Sequence, residues 1–138
     1  MKIKIVLVFL LITSSVYSQE NNVLGFYCGY SGSGTVVVKN VSDLLFHKNY
    51  NAIRGLLYSK VPAENFLGVI VCKRLAYDKK LTLTPADLTK IEELLKSREK
   101  VQICGGCTYH EEVELSKLLH SQEEITSTNE YFFELNDK

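Results

Sequence analysis

The segment from Pro62 to Tyr77, PAENFLGVIVCKRLAY, most constrains the fold because it is apolar on nearly every side. Proline suits the first turn of a helix. Apolar residues then recur at helical spacing: Ala63, Phe66, Leu67, Ile70, Val71 and Leu75. Val69 and Cys72 extend the apolar surface around the remaining side, and a helix that is apolar all round must be buried. The pattern predicts a central helix, with a buried strand over FLGVIVC as the alternative.

The following segment, LTPADLTKIEELLKSRE, carries the signals of a surface helix. Thr84 can cap it, Pro85 fits the first turn, and Asp87 stands where a capping box usually has glutamate. Its apolar stripe consists of Leu88, Ile91, Leu94 and Leu95, and its outer face consists of Glu92, Glu93, Lys96 and Arg98. This alternation predicts an amphipathic helix that packs on the central one.

Residues 19–40 are interpreted as a Gly-rich extended lead-in, and residues 41–138 as a helical domain. GYSGSG predicts a loop, and TVVVK predicts a short strand or an extended approach to the first helix. Asn40 or Ser42 can cap that helix, and Asn49 or Asn51 can cap a second. Their apolar faces are Val41, Leu44 and Leu45 in the first helix, and Ile53, Leu56 and Leu57 in the second.

The last third of the chain mixes extended and helical signals. KVQIC is predicted to be extended, CGGC to be a turn, and TYHEEVELSKLLHS to be either a helix or a strand followed by one helical turn. Near the C-terminus, Tyr131, Phe132, Phe133 and Leu135 cluster. Because exposed aromatic clusters are unfavourable, we expect this tail to dock on the body of the domain.

Residues 1–18, MKIKIVLVFLLITSSVYS, have the three parts of a secretory signal peptide. Lys2 and Lys4 supply the positive end, Ile5–Ile12 the apolar core, and small or neutral residues precede the cut. An apolar core of this length is too short for a membrane span, which needs about 20 residues. The sequence predicts one mature domain, residues 19–138, that is secreted or periplasmic and has no stable membrane anchor after cleavage.

Charge is balanced overall but unevenly distributed. The whole chain has 16 Lys and Arg against 16 Asp and Glu, which argues against nucleic acid as a partner. The stretch from Lys39 to Lys100 is basic overall, whereas the stretch from Glu111 to Lys138 is acidic. Two solvated faces of opposite sign explain this, and so does a basic face for an acidic partner.

The stretch from Asn49 to Ala76, NYNAIRGLLYSKVPAENFLGVIVCKRLA, resembles a HEAT-like helical hairpin. Taken whole, the chain also resembles small uncharacterised secreted bacterial proteins. The first resemblance implies a binding scaffold. The expected fold is mainly α, with four to five short helices in packed HEAT-like hairpins, a short extended N-terminal segment and a docked C-terminal tail.

Four cysteines lie in the mature chain, and export favours disulfides among them. We predict a Cys104–Cys107 disulfide, because Gly105 and Gly106 between them have no side chains to obstruct a small ring. A second pair, Cys28 with Cys72, stays open, as does a buried thiol at Cys72. The CGGC segment is accordingly interpreted as a structural clasp.

Two chemical alternatives exist for CGGC. The motif is the working unit of thiol–disulfide oxidoreductases, although in the thioredoxin family it occurs early and a cis-proline follows it. Cys104, Cys107 and His110 also have the spacing of zinc ligands, with His120, Cys28 or Cys72 as a fourth. Because oxidation would remove two ligands at once, we predict neither a metal nor a cofactor.

No other segment predicts catalysis. GYSGSG lacks the lysine of a phosphate-binding loop, and His47 is interpreted as a surface residue. The adjacent glutamates at 92–93, 111–112 and 123–124 lie in solvated charged segments. The sequence therefore predicts a protein-binding or structural module whose partner is a protein or other macromolecule, with a thiol–disulfide oxidoreductase as the alternative.

Overall fold

The computed structural model describes residues 21–134, apart from the side chain of Tyr109. The predicted signal peptide and Leu135 lie outside this range. Six α-helices and a three-stranded sheet make up the described chain. In order they are β1 Val23–Leu24, α1 Val36–Phe46, α2 Tyr50–Gly55, α3 Pro62–Tyr77, α4 Pro85–Leu94, β2 Lys100–Gly105, β3 Tyr109–Glu114, α5 Leu115–His120 and α6 Gln122–Asn129. The mainly helical class is confirmed, although the described residues form six α-helices rather than the predicted four to five, and the sheet is an addition.

Helix α3 is the centre of the fold, as predicted, so the alternative of a buried strand is wrong. Most of its residues are buried, including one polar residue, Asn65. The Asn65 amide donates hydrogen bonds to the carbonyl oxygens of Leu56 and Ser59, both at 2.9 Å, and so fixes the 3-10 turn Leu56–Tyr58 against α3. At Gly68 an added Cβ would lie 3.0 Å from the Leu56 Cβ, and glycine therefore permits this close approach.

Helix α4 has the predicted capping box. The Thr84 hydroxyl accepts from the Asp87 N–H at 3.2 Å, and the Asp87 carboxylate accepts from the Thr84 N–H at 2.8 Å. The predicted stripe needs one correction, because Leu88 is 53% exposed whereas Asp87 is buried. Asp87 faces inward because the Tyr58 hydroxyl donates to it at 2.8 Å.

Helix α1 begins at Val36, which corrects the boundary predicted at residue 41. The three consecutive valines favour a strand locally. In the helix, however, Val37, Val38 and Val41 are buried together, and this tertiary burial outweighs the local preference. Ser42 does not cap the helix but donates to the Val38 carbonyl oxygen at 3.0 Å, while Asn49 caps α2 as predicted.

The small sheet joins the start of the described chain to strands in its last third. Strand β1 pairs in parallel with β2, and β2 pairs with β3 in an antiparallel hairpin, so the segment after CGGC is a strand followed by a helix. The Asn22 side chain accepts from the Ala63 N–H at 3.0 Å and donates to the Lys100 carbonyl oxygen at 2.8 Å. One residue thus ties the N-terminal strand to both α3 and β2.

The C-terminal aromatic residues dock on the domain, as predicted. They form a π-helical turn, Glu130–Glu134, in which Phe132 is buried. The Phe132 ring lies edge-on to Phe26, with ring centres 5.9 Å apart. None of the helices within residues 21–134 combines the length and apolar character that crossing a bilayer requires.

Candidate functional site

The cysteine pairing differs from the predicted one. Cys28 forms a disulfide with Cys104, with 5.7 Å between their Cα atoms and a sequence separation of 76. Cys104 is therefore not paired with Cys107, which is an exposed free thiol, and Cys28 is not paired with Cys72. Cys72 is a buried thiol on α3, and burial raises its pKa to about 12, which makes it a poor nucleophile.

The pairing follows from the course of the N-terminal loop along the tip of the β2–β3 hairpin. The Gly29 N–H donates to the Gly106 carbonyl oxygen, and the Gly106 N–H donates to the Tyr27 carbonyl oxygen, both at 2.9 Å. These bonds bring Cys28 beside Cys104. Gly25 leaves room for the sulfur atoms, because a Cβ there would lie 2.5 Å from the Cys104 Sγ.

The disulfide removes Cys104 from the zinc ligands of the alternative interpretation, and His110 lies opposite it in the β2–β3 register. Within the described part of the chain, no three His, Cys, Asp or Glu side chains are grouped in a way that could hold a metal ion. His47 and His120 are exposed, and each donates from Nδ1 to the backbone carbonyl oxygen four residues earlier. Both histidines therefore stabilise helix ends.

A surface groove of about 1120 Å³ lies on the helical side of the molecule. We call it the basic groove. It runs beside α1 and the C-terminal half of α3 to the π-helical turn. Its aromatic lining is Tyr27, Phe46, Tyr50, Tyr131, Phe132 and Phe133, and its charged lining is Lys39, Asp43, Lys48, Arg74, Asp78 and Lys80.

The four cations of the basic groove, Lys39, Lys48, Arg74 and Lys80, outnumber its two carboxylates. Asp78 binds Arg74 at 3.2 Å, and Asp43 lies 3.4 Å from the His47 ring. Among residues 21–134, the ammonium groups of Lys39, Lys48 and Lys80 have neither an ion pair nor a hydrogen bond, and all three side chains are exposed. The groove therefore presents uncompensated positive charge.

Two lysines with a left-handed backbone conformation follow the ends of helices beside the basic groove. Lys48 follows α1 with a φ of 54°, and Lys79 follows α3 with a φ of 58°. Glycine is usual at such left-handed positions, where other residues cost about 1 kcal/mol. The attraction between a lysine at this position and the negative end of the helix dipole offsets part of that conformational cost. Lys48 lines the basic groove, and Lys79 is next in sequence to Lys80, which also lines it.

Phe46 is the exposed apolar element of the basic groove. Phe46 is 83% exposed, and its ring lies edge-on to that of His47, with centres 5.1 Å apart. A second groove of about 380 Å³ continues the surface past Lys48, Tyr50 and Lys80 to Arg54. An exposed aromatic ring among cations is typical of a binding surface.

The sequence indicated part of this surface. The basic excess between Lys39 and Lys100 predicted a positive face, and the groove lies within it except for Tyr27 and the C-terminal aromatic residues. Phe46 was missed, because at the end of α1 it continues the apolar pattern and no local signal marks it as exposed. No family model, no curated protein and no solved structure matches this chain.

Proposed function

We propose that this chain is an exported binding module whose basic groove takes an acidic, partly apolar peptide segment of another protein. The observation that carries the proposal is the exposed Phe46 ring beside three lysines that have no partner among residues 21–134. Carboxylates of a partner would neutralise Lys39, Lys48 and Lys80, and an apolar side chain would cover Phe46. Such a surface gains affinity from the buried ring and specificity from charge.

The packing of the helices that border the groove supports binding without a conformational change. The groove is bordered by α1 and α3, which pack in one core, so its shape is preformed and little ordering is needed on binding. We also propose that α2 and α3 pack as a HEAT-like hairpin, since α2, the 3-10 turn and α3 contact each other closely.

Export is the remaining part of the proposal. The signal-peptide pattern of residues 1–18 supports it, and the Cys28–Cys104 disulfide is compatible with an oxidising compartment. Terminal sequencing of exported material should find the mature protein starting at Gln19 or within two residues of it. Exported protein that still contained Ile5–Ile12 would contradict this part of the proposal.

Binding can be tested by fluorescence anisotropy with a labelled peptide that alternates glutamate and leucine. We expect saturable binding that weakens at high salt, because exposed charges are screened. Lys39→Glu/Lys80→Glu should weaken binding at least about tenfold. Lys60→Glu/Lys117→Glu changes the net charge equally at exposed lysines outside the groove, and it should bind nearly as well as the unmodified protein.

The aromatic contribution has its own matched pair. Phe46→Ala should weaken binding about fivefold, whereas Tyr77→Ala, at a ring that is also 83% exposed but does not line the groove, should not. Equal effects of a groove variant and its control would contradict the proposal. So would tighter binding of heparin than of the peptide, or a salt-sensitive dimer that Lys39→Glu/Lys80→Glu abolishes, since the occupant would then be a polysaccharide or a second copy.

A thiol–disulfide oxidoreductase is the second candidate, and the exposed thiol of Cys107 favours it. Only Gly105 and Gly106 separate this thiol from Cys104. In the exchange, the Cys107 thiolate attacks the Cys104 sulfur, a Cys104–Cys107 disulfide forms, and Cys28 leaves as a thiolate without net oxidation. An external dithiol such as dithiothreitol then reduces the new disulfide and leaves oxidised, and the resulting Cys104/Cys107 dithiol reduces an insulin disulfide and becomes a disulfide again. Insulin reduction that Cys107→Ser abolishes would support this candidate, and the absence of turnover would exclude it.

A further inference from the structure

A second, chemically opposite cavity lies on the other side of Tyr27 and Tyr131, which line both cavities. We call it the acidic cavity. It has a volume of about 470 Å³ and lies between the N-terminal loop, β2 and helix α6. This volume is within the range of small-molecule sites. Its lining residues are Leu24, Gly25, Phe26, Tyr27, Ile103, Cys104, Gly105, Gly106, Glu124, Ser127, Glu130 and Tyr131.

Three aromatic rings stand together at this cavity. The ring centres of Phe26 and Tyr131 are 4.7 Å apart, and those of Tyr27 and Tyr131 are 5.9 Å apart with nearly perpendicular planes. Tyr27 is 57% exposed, so part of its ring is free to contact a ligand. Rings set at different angles present several π faces, which attract cations.

The charged lining of the cavity is entirely negative. Glu124 and Glu130 line it, and no Lys, Arg or His among residues 21–134 does. Burial raises the pKa of the Glu124 carboxyl, and the neighbouring carboxylates of Glu123 and Glu111 raise it further. A half-buried carboxylate among like charges is stabilised by a cation.

The floor of the cavity is held in place covalently. Cys104 lines it and is tied to Cys28, which fixes the loop that carries Phe26 and Tyr27. The Gly106 N–H bond to the Tyr27 carbonyl oxygen fixes the same loop a second time. The positions of Phe26 and Tyr27 are therefore set before a ligand arrives.

From this combination we propose that the acidic cavity binds a small organic ammonium ion, whose charged head contacts the Tyr27 and Tyr131 rings and pairs with Glu124. The aromatic and aliphatic lining accepts the apolar body of such a ligand. This site shares Tyr27 and Tyr131 with the basic groove but does not depend on the function proposed for the groove. An inorganic cation would satisfy the carboxylates but would leave the apolar lining uncovered.

Choline and its neutral isostere 3,3-dimethylbutan-1-ol test the proposal, because they differ in charge and hardly in shape. In a titration followed by NMR amide shifts, choline should saturate shifts at Tyr27, Gly105 and Gly106, and the alcohol should bind at least about tenfold more weakly. Potassium chloride at the same concentration should not reproduce the choline shifts. Equal binding of the alcohol, or shifts that do not saturate, would overturn the proposal.

Two matched pairs of variants locate the site. Glu124→Gln and Tyr27→Leu should each weaken choline binding about fivefold. Glu92→Gln, on α4, and Tyr30→Leu, at a fully exposed tyrosine of the same loop, should leave it unchanged. Thermal melts check that each variant is folded. Folded Glu124→Gln and Tyr27→Leu proteins that bind choline with unchanged affinity would place the ligand elsewhere and refute the assignment.

Discussion

The basic groove and the acidic cavity share Tyr27 and Tyr131, yet they are supported in different ways. The basic groove is bordered by α1 and α3, whose inner faces belong to the main core. The acidic cavity is bordered by a Gly-containing loop and the tip of a hairpin, which the Cys28–Cys104 disulfide and a few backbone hydrogen bonds join.

The two sides of the molecule are stabilised by different interactions. The helical side is stabilised by the burial of apolar side chains, at about 25 cal/mol for each Å² removed from water. Of loop residues 25–35, only Phe26 packs against the main core, and the loop gains in addition from a covalent link that restricts the unfolded chain. Damage to the core should therefore destroy both sites, whereas loss of the disulfide should affect mainly the acidic cavity.

The largest expected effect is that of Ile70→Asp. Ile70 is 4% exposed on α3, and a charge in this apolar site costs several kcal/mol against a total stability of about 5–15 kcal/mol. We expect no cooperative unfolding transition by circular dichroism and no binding at either site.

Glu93→Ala is the control for this experiment. Glu93 is exposed on α4, and its ion pair with Lys90 at 3.4 Å is solvated, so the stability should change by no more than about 0.5 kcal/mol. Similarly small effects of both substitutions would mean that the buried face of α3 has been assigned wrongly.

The next largest effect should come from Cys28→Ala/Cys104→Ala. A link across 76 residues stabilises by about 4 kcal/mol in the chain-entropy account, so chemical denaturation should show a loss of about 2–5 kcal/mol. Cys107→Ser should leave stability nearly unchanged, because this thiol is exposed and free. A loss for Cys107→Ser as large as that for the double variant, which removes Cys104 from either pairing, would restore the pairing predicted from sequence.

A smaller, pH-dependent effect is expected at Asp87 on the helical side. Burial alone would raise the pKa of its carboxyl, but hydrogen bonds from Thr84 and Tyr58 and the Arg54 charge lower it overall. Its contribution is therefore full above the unfolded pKa of about 3.9 and is lost as pH falls through the lower folded value.

Asp87→Asn should accordingly lower stability by about 1 kcal/mol at pH 7, mainly through the weakened capping box. Melting curves between pH 7 and pH 2 should show the difference from the unmodified protein shrinking at the acid end. A difference that grew as pH fell would contradict the sign of the pKa shift.

Local signals in the sequence were sufficient for the parts of the fold that short segments determine. Pro62 and Pro85 mark helix starts, and Thr84 with Asp87 forms the predicted capping box. These features depend on residues within one or two turns. The start of α1 was predicted too late, because the valines after Thr35 favour a strand until their burial against α3 is taken into account.

The cysteine pairing and both cavities depend on contacts between distant segments. Cys107 is close to Cys104 in sequence, but the loop that carries Cys28 is laid along the hairpin tip by backbone hydrogen bonds that no sequence pattern announces. Likewise, Tyr27 and Tyr131 come from opposite ends of the chain. The charge distribution indicated a positive face and an acidic segment, but it did not indicate the cavities that lie there.

The central claim is that two sites of opposite charge share one pair of tyrosines but depend differently on the disulfide. An NMR titration of the unmodified protein and of Cys28→Ala/Cys104→Ala, each with choline and with the glutamate–leucine peptide, tests it most directly. We expect the peptide to shift amides near Phe46 with similar affinity in both proteins, and choline to lose affinity at least about tenfold in the variant alone. Loss of peptide binding in a folded variant, or unchanged choline binding, would contradict the claim.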